Sequence, residues 1–183
     1  MASEYPPTQS SAQDIADAWA RELPDVPVSS IGVVTPLWQL AKLFGDDRRR
    51  VLTGAGVDPA TLDLLSVLRR AGAPYTLTTR ELSRRALVTA GAISQRVARA
   101  EADGLVTRTR PQGRPRTVDV ALTPAGHALV ESTVGRVLTR ESALLAALPP
   151  DQQSQLAALL TALLDTVQQA VGDTRVSQVG DES

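Results

Sequence analysis

The hydrophobic period of this chain changes at Gly104. Before it, apolar residues recur every three or four positions, the spacing of helices buried on one face. From Leu105 the pattern becomes a two-residue alternation, in "LVTRTR" and again in "TVDVALT". Between these runs lies "PQGRPR", a tip of proline, glycine and arginine. Two β-branched alternating runs about such a tip predict a β-hairpin. Helical spacing returns at Thr123-Pro124, an N-cap with proline at the first helical position.

The segments around the hairpin read as helices. A first helix is expected from about Ser11 to Leu23, ended by Pro24, and a second from about Ser30 to Leu52, with Pro36 as a kink and "TGAG" (53–56) as its close. Asp58 and Pro59 open a third, with Leu62, Leu65 and Leu68 as its buried stripe and Gly72 after its end. "APYTLT" is a short extended link. Thr78 or Thr79 starts "TRELSRRAL", with Leu82 and Ala86 turned inward. Thr89 caps a helix to about Asp103 with Ile93, Val97 and Ala100 facing the core. After the hairpin, one helix is expected to about Leu148 and a last one over about 151–171. The fold class is therefore mainly α (α+β). Its expected divisions are a disordered N-terminus (1–11), N-terminal helices (12–57), a central unit (58–122), C-terminal helices (123–172) and a flexible tail (173–183).

Charge is unevenly placed along this order. The chain has 19 basic and 20 acidic residues, a formal net charge of −1. Residues 69–116 nevertheless carry 11 Arg against three acidic residues, a local charge of +8. Lys42 is the only lysine, which accounts for the choice of arginine but not for its location. A basic middle with acidic flanks suits a polyanion met by one surface.

Helix, short strand, helix, turn, helix and β-hairpin in that order make a winged helix-turn-helix. In such a unit the second helix of the pair enters the DNA major groove, and the first braces it across the backbone. With Ile93, Val97 and Ala100 inward, the outward face carries Gly91, Ala92, Ser94, Gln95 and Arg99, with Thr89 at its start. Small residues at the N-terminal end permit close approach. Gln95 suits adenine, Arg99 suits guanine or phosphate, and Ser94 suits either. Arg108 and Arg110 lie on the strand leading to the wing tip, where Arg114 and Arg116 can enter the minor groove.

The runs "TRELSRRALV", "GAISQRVARAEADGLVTR" and "LTPAG" in this order resemble the multiple-antibiotic-resistance regulator (MarR) family, over about residues 28–172. The resemblance implies a homodimer whose N- and C-terminal helices form the dimerisation domain. It further implies a repressor of a pseudo-palindromic double-stranded operator, released by a small-molecule effector. One departure stands out. The family wing usually carries Asp-x-Arg nine and seven positions before the Thr of "LTPAG", and here both positions are arginine, Arg114 and Arg116. "DAWARELPDV" followed by "LWQLAKLF" further resembles the urate-responsive branch, which has an extra N-terminal helix. That likeness implies a ligand site of Trp19, Asp63, Arg96 and Arg108. Guanidinium groups suit an anionic heterocycle and an indole supplies a stacking face. The alternatives are a Trp19 that only anchors its helix and an Asp63 that only pairs with Arg96 to brace the recognition helix.

Other classes find less support. His127 is the only histidine and cysteine is absent, so a nucleophile–base pair would need His127, which falls on an ordinary helical segment after "LTPAG". No acidic cluster has metal-ligand spacing, so neither an enzyme nor a cofactor is expected. No secretory signal is recognisable and no apolar run approaches the roughly 18 residues of a membrane span, so a cytoplasmic protein with no membrane partner is expected. The remaining alternative is a winged helix that binds protein. Salt dependence separates it from a DNA binder, whose affinity falls by about 0.9 log unit per log unit of salt for each phosphate neutralised.

Overall fold

The computed structural model describes residues 11–112 and 117–171. The expected wing-tip contacts Arg114 and Arg116 lie outside the described residues, as do residues 1–10 and the tail from 172. The chain divides between Asp47 and Arg48 into two compact units.

The first unit holds α1 (Ala12–Glu22) and most of α2 (Ile31–Ala55). Ser11, at the expected start of the first helix, is the N-cap of α1. Its hydroxyl accepts from Asp14 N, and the Asp14 carboxylate accepts in return from Ser11 N at 2.9 Å. These two orphan-donor bonds are a capping box, which orders the first turn. α2 runs on through Pro36. Its end differs from expectation. "TGAG" does not close it at Leu52; Thr53, Gly54 and Ala55 are helical, and the turn comes at Gly56, whose φ of +68° suits glycine. Trp38 is 71% exposed, and Val33, Val34, Leu40 and Leu43 are exposed with it.

The second unit contains α3 (Pro59–Arg70), β1 (Thr76–Thr78), α4 (Thr79–Ala86), α5 (Ala90–Ala102), β2 (Val106–Thr109), β3 (Asp119–Leu122), α6 (Pro124–Leu145) and α7 (Pro150–Val171). α3 is its centre. Leu62, Leu65 and Leu68 are buried as expected, but so are Thr61, Asp63, Leu64 and Val67. The single stripe fails because α3 packs against α4, α5, α6 and β3, not against one neighbour. Leu82, Ile93, Val97, Val106, Val120 and Val130 complete the core around it. Each fully buried aliphatic side chain stabilises by about 2 kcal/mol relative to leaving it exposed.

The hairpin forms, and the link "APYTLT" contributes a third strand. The sheet order is β1-β3-β2, antiparallel throughout, with Leu77 opposite Val120 and Arg108 opposite Val120 on the other side. The wing base is fastened to α6 by Thr123. Its hydroxyl caps α6 by accepting from Gly126 N, and it also donates to the Gly104 carbonyl at 2.7 Å. Its backbone N–H donates to the Leu105 carbonyl. α6 stops at Leu145, short of the expected Leu148, and Leu148 N closes a turn on Leu145. α7 has no buried residue; Leu156, Leu159, Leu160, Leu163, Leu164, Val167 and Val171 are all exposed.

Candidate nucleic-acid interface

The helix pair is set by side chains that satisfy its free backbone ends. Thr78 Oγ1 accepts from Glu81 N at 3.1 Å, and Glu81 accepts from Thr78 N at 2.9 Å, a capping box that starts α4. The Thr78 backbone and hydroxyl bonds hold the Glu81 carboxyl below its ordinary value of 4.5. α4 ends at Leu87 in the left-handed region (φ 57°), and the Ser83 hydroxyl donates to the Val88 carbonyl across the turn. Thr89 then caps α5 by accepting from Ala92 N at 3.2 Å.

This turn presents the face of α5 expected to meet DNA. Ile93, Val97 and Ala100 are buried, so Gly91, Ser94, Gln95 and Arg99 form an exposed stripe along the opposite side, with Ala92 half-buried at its edge. A methyl on Gly91 would meet only Thr89 Oγ1, at 4.0 Å, so the start of the helix is open to close approach. Two hydroxyls have local duties: Thr89 is the cap, and Ser94 Oγ donates to the Ala90 carbonyl at 2.9 Å. Ser94 keeps its acceptor lone pairs for a base edge. Burial raises the Asp58 carboxyl, but the bonds from Thr61 and the charge of Arg99 hold it below its ordinary value. Arg110 is exposed immediately after β2.

Of the four residues of the implied ligand site, Asp63 and Arg96 are paired. Asp63 is 6% exposed, and Arg96 Nη1 donates to its Oδ2 at 3.0 Å. Burial pushes the Asp63 carboxyl above its ordinary value, against the pull of Arg96. Arg108 is held elsewhere: its Nε donates to Glu101 Oε2 at 2.7 Å, and this bond pulls Glu101 down and Arg108 up from their ordinary values. Trp19 belongs to the first unit, on α1, and is 50% exposed. His127 sets its ring edge-on against Tyr75 at 4.6 Å between centroids.

Sequence reasoning missed two features of the second unit. One is a cavity of about 560 Å³ between α3 and α6, with Asp63, Ser66, Arg48, Arg69 and Glu131 among the polar residues of its wall and Leu62, Val130, Val134 and Leu138 among the apolar ones. Arg69 Nε donates to Glu131 there at 2.9 Å. No local pattern announces a space between helices far apart in sequence. The other is a groove along α4 containing Arg80 and Arg84, whose four-residue spacing was a usable signal.

Comparison with known proteins agrees with this geometry. Residues 55–116 match the sequence model of the MarR family. The HTH-type transcriptional regulator PecS of Dickeya dadantii is 27% identical over 147 residues, 80% of this chain and 89% of PecS. The crystal structure of NadR in complex with 4-hydroxyphenylacetate is 26% identical, covers 70% of this chain and 89% of NadR, and superposes with a TM-score of 0.56. A mutant MarR of E. coli, at 23% identity, shares the fold over 76% of this chain and 97% of its own, with a TM-score of 0.60. Among the described residues no single helix is long and apolar enough to cross a membrane. The chain is a DNA-binding transcriptional regulator with a winged helix-turn-helix, and its residues 55–116 are similar to the MarR family.

Proposed function

We propose that the protein is a ligand-released repressor that binds a pseudo-palindromic operator as a homodimer. The cavity beside Asp63 carries this reading. Its wall holds the carboxylate that the recognition-helix residue Arg96 depends on, so an occupant that prefers one arrangement of that pair biases the pose of α5. A ligand shifts DNA affinity only by its differential affinity for the two arrangements. NadR, whose structure contains 4-hydroxyphenylacetate, supports a small organic anion as the class. Arg48 and Arg69 in the wall, paired with Glu141 and Glu131, offer a negative group a place by exchange of partners, and the apolar residues suit a flat ring. Trp19, Asp63, Arg96 and Arg108 remain the set proposed for an anionic heterocycle of the urate type, with α1 as the helix that distinguishes that branch. The homodimer reading rests on α7, whose seven exposed leucines and valines call for a partner, and the isologous contact of a twofold dimer buries such a stripe against itself. Two recognition helices would then meet half-sites about one helical turn apart.

Operator fragments selected from genomic DNA would supply the site. A thermal-shift screen of aromatic acids and purines, followed by titration of each hit into the protein–operator complex, tests the rest. The expected result is a compound that raises the melting temperature and releases the operator. A hit that stabilises the protein and leaves operator affinity unchanged overturns the ligand-release reading.

A further inference from the structure

The arginines of the basic segment fall into two groups that sequence alone does not separate. Arg69, Arg96 and Arg108 are neutralised within the fold, by Glu131, Asp63 and Glu101. Arg80 and Arg84 are exposed, and neither is in an ion pair among the described residues. The nearest acid of their own helix, Glu81, has its carboxylate taken up by the Thr78 N–H and hydroxyl. Being four residues apart, Arg80 and Arg84 lie on one face, about 6 Å apart along the helix. That face borders a groove of about 580 Å³ whose other wall is the start of α5, with Thr89, Ala90 and Ser94. The groove therefore runs alongside the recognition face and adds to it two exposed cations and the Thr79 hydroxyl.

We propose that Arg80 and Arg84 clamp two backbone phosphates of one DNA strand, and that α4, not the paired arginines of α5 and β2, carries much of the salt-dependent affinity. This rests on the DNA-binding reading and assigns the two contacts that hold α5 in register. Phosphate contacts position a protein without carrying sequence information, so their loss acts on every duplex alike. Arg85, exposed on α4 but outside the groove, takes no part.

The test is the salt dependence of full-length protein binding to a random-sequence 30-base-pair duplex and to a duplex chosen by selection. For each of Arg80→Ala and Arg84→Ala the slope of log affinity against log salt should fall by about 0.9, and for the double variant by about 1.8. The ratio of affinities for the two duplexes should not change, and the melting temperature should stay that of the parent. Arg85→Ala should keep the parent slope. Parent-like slopes for the Arg80 and Arg84 variants, a changed duplex ratio, or an equal loss in Arg85→Ala each overturn the clamp while leaving DNA binding intact. A parent protein that binds neither duplex in dilute buffer overturns the DNA-binding reading, and the clamp with it.

Discussion

A methyl group on Gly126 would lie 2.1 Å from the Leu105 carbonyl oxygen and 3.2 Å from Leu122 Cδ2. The first of these neighbours is backbone and cannot turn aside. The glycine of "LTPAG" is thus required by the close approach of α6 to the wing base. Gly126→Ala should lower stability by about 1–3 kcal/mol, the usual range for overpacking, as read from urea midpoints. Asp63 poses a different question at the same scale. Its carboxyl is raised by burial, so the stability it contributes is full below the ordinary value of 3.8 and is lost as pH rises through the raised value. Asp63→Asn removes that loss. Between pH 3.8 and neutrality the stability of the variant should therefore rise more steeply than the parent's, in a series of urea midpoints against pH. Asp63→Ala at pH 7 should cost about 2 kcal/mol, since it strips Arg96 of a charged hydrogen-bond partner. The pairing of Asp63 with Arg96 was one of two roles the sequence allowed. Arg108 joins that site through the resemblance alone, and its bond to Glu101, seven residues back on a different element, leaves no periodic trace in the sequence.

Helix starts were readable because a cap is a contact over three residues. Asp58, Thr78, Thr89 and Thr123 all stand where their side-chain chemistry predicts, each accepting from a backbone N–H three residues on. Thr78→Ala should cost α4 about 1 kcal/mol, measured by thermal or urea unfolding. Glu81, held low by the Thr78 bonds, contributes stability that is full above 4.5 and lost as pH falls through the lowered value. Thr78→Ala should therefore also flatten the acid side of the stability profile. Helix ends were less readable. The chain leaves α2 at the second glycine of "TGAG", not the first, because a helix tolerates one glycine and the positive φ is needed only at Gly56. The third strand was legible only as an extended link, since its pairing with β3 joins residues more than 40 positions apart. On α5, Gln95→Ala should change base preference at one position of each half-site by a factor that corresponds to about 1–3 kcal/mol, as read by competition between single-base operator variants. Its salt slope should stay that of the parent.

For the whole molecule, the apolar stripe of α7 sets the expectation. Leu160→Glu with Leu164→Glu places two charges on that stripe. Sedimentation should find the variant as single chains, and affinity for a two-half-site operator should fall to that of one half-site. The wing base and the helix pair were legible in the sequence because each rests on local spacing and turn chemistry. The cavity between α3 and α6 was not, since it lies between two packed helices some 60 residues apart in the sequence. Charge counting also needed the fold. The surplus of +8 over residues 69–116 falls to +6 once Arg69 and Arg96 are set against Glu131 and Asp63, which lie outside that segment.

β3 is gripped on both sides by its neighbours, and one residue, Thr123, separates its end from the first turn of α6. No slack remains for the hairpin and that long helix to turn independently. A tilt imposed anywhere along the 22-residue shaft is delivered to the base of the hairpin, as a crank delivers rotation to its handle.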